Sequence, residues 1–246
     1  MLVALWQSGL LGHSSLAASS DIWRPAVMSA GSMPPAHFIA HPRRLLAAAT
    51  PPAGSGGYAA QQARFDPCQP IRYVVSGVPP FPGAGQLLTS AITEVSRVTG
   101  LLFVYAGTTD EAASTVRPAY EPSRYGKRWA PVLVAWTDPA TVTALGGHVV
   151  GLGGASSVTR NGETSDVSGI VFLDAADLAR MASRPNGPAE VRAVMLHELG
   201  HLVGLKHVAD PSAIMYPRVS ASVLDYSPGD LRGLAYAGGA ACTHVN

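Results

Sequence analysis

Charge is what this chain has least of. Only 13% of its 246 residues are Asp, Glu, Lys or Arg, and 17 basic against 16 acidic residues leave a formal net charge of +1. That balance offers no footprint for nucleic acid, and no long basic run supplies one locally. No stretch of 18 or more apolar residues occurs, so no transmembrane helix is expected. Cysteine is limited to Cys68 and Cys242. Two thiols exclude a disulfide-dense scaffold and leave room for one staple. Their places near the two ends of the folded part favour a link between them, which would close a long loop. A pair of unlinked buried thiols is the alternative.

What is present is enough for a core. Hydrophobic residues make up 47% of the chain, while 26 Gly and 20 Pro call for many turns and loops. Residues 1–62 read as a leader or linker. The stretch 29–57 is rich in Ala, Pro, Ser and Gly without a sustained period. Met1–Gly12 is apolar and signal-like but lacks a basic start, and Arg43-Arg44 precedes too short an apolar run. Residues 63–246 read as one catalytic-type domain. A signal-like start and a disulfide fit a secreted, extracellular protein.

From Arg64 onward the pattern is regular. Ile71–Val75 predicts a strand. Leu87, Leu88, Ala91, Ile92, Val95 and Val98 recur at helical spacing, with Gly100 as the stop. Leu101–Tyr105 is expected as a buried strand, 107–129 as a polar loop, and Pro131–Trp136, His148–Leu152 and Gly169–Leu173 as further strands. Asp174–Met181 is expected as a short helix. A second helix begins near Pro188, whose missing N–H costs nothing at a helix start. Strands alternating with helices imply an α/β fold around a mostly parallel sheet.

The helix from Pro188 carries the chemistry. His197 and His201 are four residues apart and share one helix face, so both imidazoles can reach one ion. Neutral imidazole suits Zn²⁺ at about 2.0–2.1 Å, and a catalytic site takes three protein ligands and one open position. Gly204, free to adopt φ > 0, lets the chain turn sharply so that His207 becomes the third ligand. Glu198 adjoins the first ligand without being needed as one. It is placed to act as general base on a water that the metal acidifies, and then to pass the proton to the leaving amine. One catalytic Zn²⁺ is expected.

The run His197-Glu198-Leu199-Gly200-His201-Leu202-Val203-Gly204-Leu205-Lys206-His207, followed by Met215, resembles the metzincin zinc-protease signature with its Met-turn. Ala213-Ile214-Met215-Tyr216-Pro217 and Leu224–Leu234 are most similar to matrixin (matrix-metalloproteinase-type) catalytic domains, and 100–111 to bacterial, actinobacterial-style members. The resemblance implies a two-lobed zincin fold with a twisted sheet, an antiparallel edge strand at Val149–Gly154, an active-site helix and a small C-terminal lobe. It implies a zinc metalloendopeptidase, a monomer, that binds extended polypeptide along that edge. It places Ala193 in the pocket on the leaving-group side, with Arg218 near the opposite wall. The histidine–aspartate cluster of a second zinc and an acidic calcium loop are absent. A propeptide cysteine switch is absent too, unless Cys68 takes that part in place of a disulfide. Two other readings stay open: a zinc-holding module that binds peptide without cutting it, and a surface protein whose residues 1–62 do the work.

Overall fold

The computed structural model describes residues 57–242. The chain runs β1 (Ala59–Ala60), β2 (Ile71–Ser76), α1 (Ala84–Thr99), β3 (Phe103–Thr109), α2 (Pro122–Tyr125), β4 (Val132–Thr137), a 3₁₀ turn (Thr143–Leu145), β5 (Gly151–Arg160), β6 (Glu163–Asp174), α3 (Ala175–Ala182), α4 (Gly187–Leu202), β7 (Leu205–Lys206) and α5 (Pro228–Gly238). The leader or linker expected at 1–62 lies outside the described residues as far as residue 56. Its last part belongs to the folded body: Ala59 and Ala60 pair antiparallel with Lys206 and Leu205, and Gln61 N–H donates to Gly204 O at 2.8 Å. Backbone pairing, which composition does not report, carries the fold upstream of residue 63.

Five strands form the main sheet in the order β3-β2-β4-β6-β5. β2 pairs parallel with β3 and β4, β4 pairs parallel with β6, and β5 runs antiparallel to β6 at the edge. This is the expected α/β fold with a mostly parallel sheet and one antiparallel edge strand. The central strands are buried on both faces, which explains their near-continuous apolar sequences. Val132, Val134, Trp136, Val171 and Leu173 face the main core with α1 and α4, while Leu133, Ala135, Ile170 and Phe172 face a smaller cluster with Val142 and Leu145. No helix among the described residues is long and apolar enough to cross a membrane.

Three expectations need correction. The strand expected at Leu101–Tyr105 begins at Phe103 and forms the other edge of the sheet, with Tyr105 54% exposed. Leu101 itself is buried beneath the end of α1, which makes the run look like a core strand. The segment 107–129 is no simple polar loop. It contains α2 and a buried Arg117–Glu111 ion pair, to which Tyr125 OH and Ser168 are joined. The edge strand starts at Gly151, not Val149, and runs on to Arg160. Asn161 and Gly162, both at positive φ, then close a two-residue hairpin into β6.

Candidate metal centre

α4 presents two of the three candidate ligands. Its N-terminus starts with Gly187 and Pro188 behind Asn186, and its interior is buried almost throughout. His197 and His201 sit one turn apart on this helix. The helix stops at Val203, and Gly204 takes φ 99°, a left-handed conformation that glycine adopts without strain. The chain then reverses through β7 and delivers His207 back to the helix.

The three rings converge. Nε2 of His201 lies 2.9 Å from Nε2 of His197 and 3.1 Å from Nε2 of His207, and the His197–His207 separation is 3.2 Å. A tetrahedral ion with Zn–N bonds of about 2.0–2.1 Å sets its ligand nitrogens about 3.3–3.4 Å apart, so the triangle is nearly that of a zinc site. The ring orientations fit the same use. His197 Nδ1 donates to Ile214 O at 2.7 Å and His201 Nδ1 to Leu205 O at 2.8 Å, which leaves each Nε2 with its lone pair toward the centre. Burial, reinforced by the neighbouring imidazoles, holds His197 well below the usual histidine range. Burial and His207 bring His201 down to about 3, and burial lowers His207. All three are therefore neutral at pH 7, as metal ligands must be.

Glu198 occupies the next helical position and is 1% exposed. Burial alone pushes its carboxyl well above the usual carboxylate range. Oε1 has no hydrogen-bond partner among the described residues. β5 comes close to it: a Cβ on Gly151 would stand 2.7 Å from Oε1, and one on Gly153 would overlap the Glu198 backbone carbonyl. The antiparallel edge strand thus runs beside the carboxylate, and among the described residues no further strand pairs with its outer edge.

Met215 packs against α4 at Gly200 and is 1% exposed. Its turn is closed by Tyr216 N–H to Ala213 O at 3.2 Å and tied to the third histidine's segment by Val208 N–H to Met215 O at 3.0 Å. Gly200 is what lets it fit, since a Cβ there would meet Met215 Sδ at 2.6 Å. Ala193 is buried in α4 and Arg218 half-buried in the segment after Met215. His148 is exposed and is not among the side chains whose ligand atoms meet. Cys68 and Cys242 are bonded to each other, with Cα atoms 5.5 Å apart. A disulfide-bonded sulfur carries no thiolate, so in this structure Cys68 is not a candidate metal switch.

One residue of the site is not evident from the sequence. Asp230, wholly buried in α5, accepts from Ile214 N–H at 2.9 Å and Met215 N–H at 3.4 Å, and so holds the turn whose carbonyl orients His197. The spacing Ser227-x-x-Asp230 marks a capping box, which forms. The reach of the same carboxylate to two further amides is a tertiary contact with no local signal.

The matrixin family profile matches residues 146–236, which covers β5, β6, α3, α4 and the Met215 turn. Matrilysin from Felis catus is 49% identical over 43 residues, and that match covers 16% of this chain and 16% of the matrilysin chain. Among solved structures, archaemetzincin from Methanopyrus kandleri is similar at 18% identity over 70% of this chain and 88% of that one, with a TM-score of 0.36. Metalloproteinase-II from Bacteroides fragilis is similar at 14% identity over 75% of this chain and 57% of that one, also with a TM-score of 0.36.

Proposed function

We propose that this chain, which carries a matrixin-type metzincin domain across residues 146–236, is a zinc-dependent metalloendopeptidase. The observation that carries the reading is the meeting of three neutral imidazoles, Nε2 atoms 2.9–3.2 Å apart, beside a buried carboxyl whose Oε1 has no partner among the described residues. His197, His201 and His207 would hold one Zn²⁺. Bound there, zinc supplies Lewis acidity, which acidifies water and polarises a peptide carbonyl.

The remaining work falls to the chain's own groups. Glu198 Oε1 takes the proton from the attacking water and returns it to the departing amine nitrogen. The apolar surroundings of Glu198 keep that proton from leaking to solvent. The outer edge of β5 at Gly151–Gly153, paired with no further strand among the described residues, offers backbone N–H and C=O groups to an extended polypeptide, whose register there brings a peptide bond over the site. Ala193, small and buried, leaves room for an apolar side chain on the leaving-group side, and Arg218 limits its depth. The protein acts as a secreted monomer, in keeping with the Cys68–Cys242 link, since disulfides persist in oxidising compartments.

The test is metal analysis and peptide-library cleavage with the purified chain. One equivalent of zinc is expected, lost in His201→Ala because two protein ligands hold the ion too weakly. Cleavage is expected to stop with a chelator and to return with zinc. Full zinc retention by His201→Ala would remove the ligand assignment. A preference for Asp or Glu just after the cut would count against the apolar pocket.

A further inference from the structure

We propose that Tyr226 is a positioning residue for His197. Its hydroxyl closes a ring of hydrogen bonds that starts at the carbonyl just before this histidine and ends on the histidine's own imidazole. The inference rests on the zinc reading of the site.

The ring can be followed bond by bond. Tyr226 OH donates to Leu196 O at 2.6 Å. The next residue, Ser227, donates its N–H to Asp230 Oδ2 at 2.8 Å, and its hydroxyl accepts from Asp230 N–H at 3.2 Å. Asp230 Oδ2 accepts from Ile214 N–H at 2.9 Å, and Ile214 O accepts from His197 Nδ1 at 2.7 Å. Each link is buried or half-buried, where a hydrogen bond is electrostatically stronger than in water. The ring therefore fixes the Met215 turn against α4 from both sides of His197.

The hydroxyl has little else to do. Leu196 O belongs to the interior of α4 and has its helical partner regardless, so losing the tyrosine bond orphans no backbone acceptor. The aromatic ring of Tyr226 fills the core whether or not it carries oxygen. Burial, with Asp230 and Glu94 acting in the same direction, pushes the phenol well above the usual tyrosine range, so it stays a donor. The neighbouring Arg192–Asp225 pair, at 2.7 Å, reaches the same helix one turn earlier. Asp225 is 74% exposed, however, and such a pair holds a segment weakly. Tyr226 is the firm attachment.

Tyr226→Phe in the full chain isolates the hydroxyl. Partners bonded directly to a metal ligand are worth about 10–100-fold in metal affinity, and Tyr226 acts several bonds further out, so a loss of about 3- to 10-fold is expected. Zinc dissociation is read by competition with a chromophoric chelator. The visible spectrum of the cobalt-substituted protein reports ligand geometry, and thermal unfolding is followed in parallel. The expected result is faster zinc loss and a shifted cobalt spectrum in a folded protein. A role in packing alone would lower the unfolding temperature and leave zinc dissociation from the folded state unchanged, which would overturn the proposal. In a double-mutant cycle with Asp230→Asn, the two losses should be less than additive, because both break one ring; strict additivity would also overturn it. A wild-type chain that binds no zinc would instead remove the metal reading itself.

Discussion

Gly153 and Glu198 are in contact across the gap between β5 and α4, and a Cβ at 153 would overlap the Glu198 backbone carbonyl. Gly151 faces the same residue two positions earlier, but there the neighbour is the Glu198 side chain, with Cγ and Oε1 both 2.7 Å from the Cβ position, and no backbone. The two glycines should therefore fail differently when replaced. Gly153→Ala must move backbone and is expected to cost about 1–3 kcal/mol of stability. Gly151→Ala can be accommodated by swinging the Glu198 side chain, so it should retain most stability and lose turnover. Thermal unfolding and peptide hydrolysis of both variants check this. Equal stability losses, or an active Gly151→Ala, would contradict the close approach.

The candidate metal centre was more legible in the sequence than the sheet around it. Two histidines one helical turn apart, a glycine and a third histidine make up a local code, and all three rings meet as that code requires. The glycine stop after α1 was legible for the same reason, since it is set by neighbours in sequence. The length of β5 was missed: Asn161-Gly162 is a strong two-residue hairpin signal that marks its end, but the Gly- and Ser-rich run before it shows no apolar alternation to extend a strand beyond Gly154. What was not legible came from distant partners. Nothing near Leu101–Tyr105 says that this run ends on an open edge, and nothing near Ala59–Ala60 says that it meets Leu205–Lys206. The double use of Asp230 likewise depends on a contact 15 to 16 residues away.

The Cys68–Cys242 link spans 174 residues and ties the segment before β2 to the end of α5. Cross-linking so long a loop restricts the unfolded chain, and loss of such a bond typically costs about 2–5 kcal/mol. Cys68→Ser is expected to lower stability by that order and to leave the histidine triangle intact. Mass spectrometry of non-reduced tryptic peptides should show one linked pair. Two freely alkylating thiols in native protein would contradict the link.

Asp166 gives stability a pH dependence. It is 3% exposed, Ser157 donates to its Oδ1 at 2.6 Å, and burial raises its carboxyl from 3.8 to about 6. The folded state therefore keeps a proton that the unfolded chain has already lost. The contribution is fully present below about pH 4 and is lost as pH rises through about 6, with a magnitude of about 3 kcal/mol. Asp166→Asn should track the wild type near pH 4 and become the more stable of the two by pH 7. A stability difference that does not change between those values would refute it.

The most direct test of the account is Glu198→Gln. Glutamine keeps the shape of the side chain but cannot take a proton, and Glu198 lies outside the histidine triangle. The account predicts a folded protein with one equivalent of zinc and a hydrolysis rate lower by at least about 10²–10⁴. A Glu198→Gln variant that holds zinc and cuts peptides at close to the wild-type rate would contradict it.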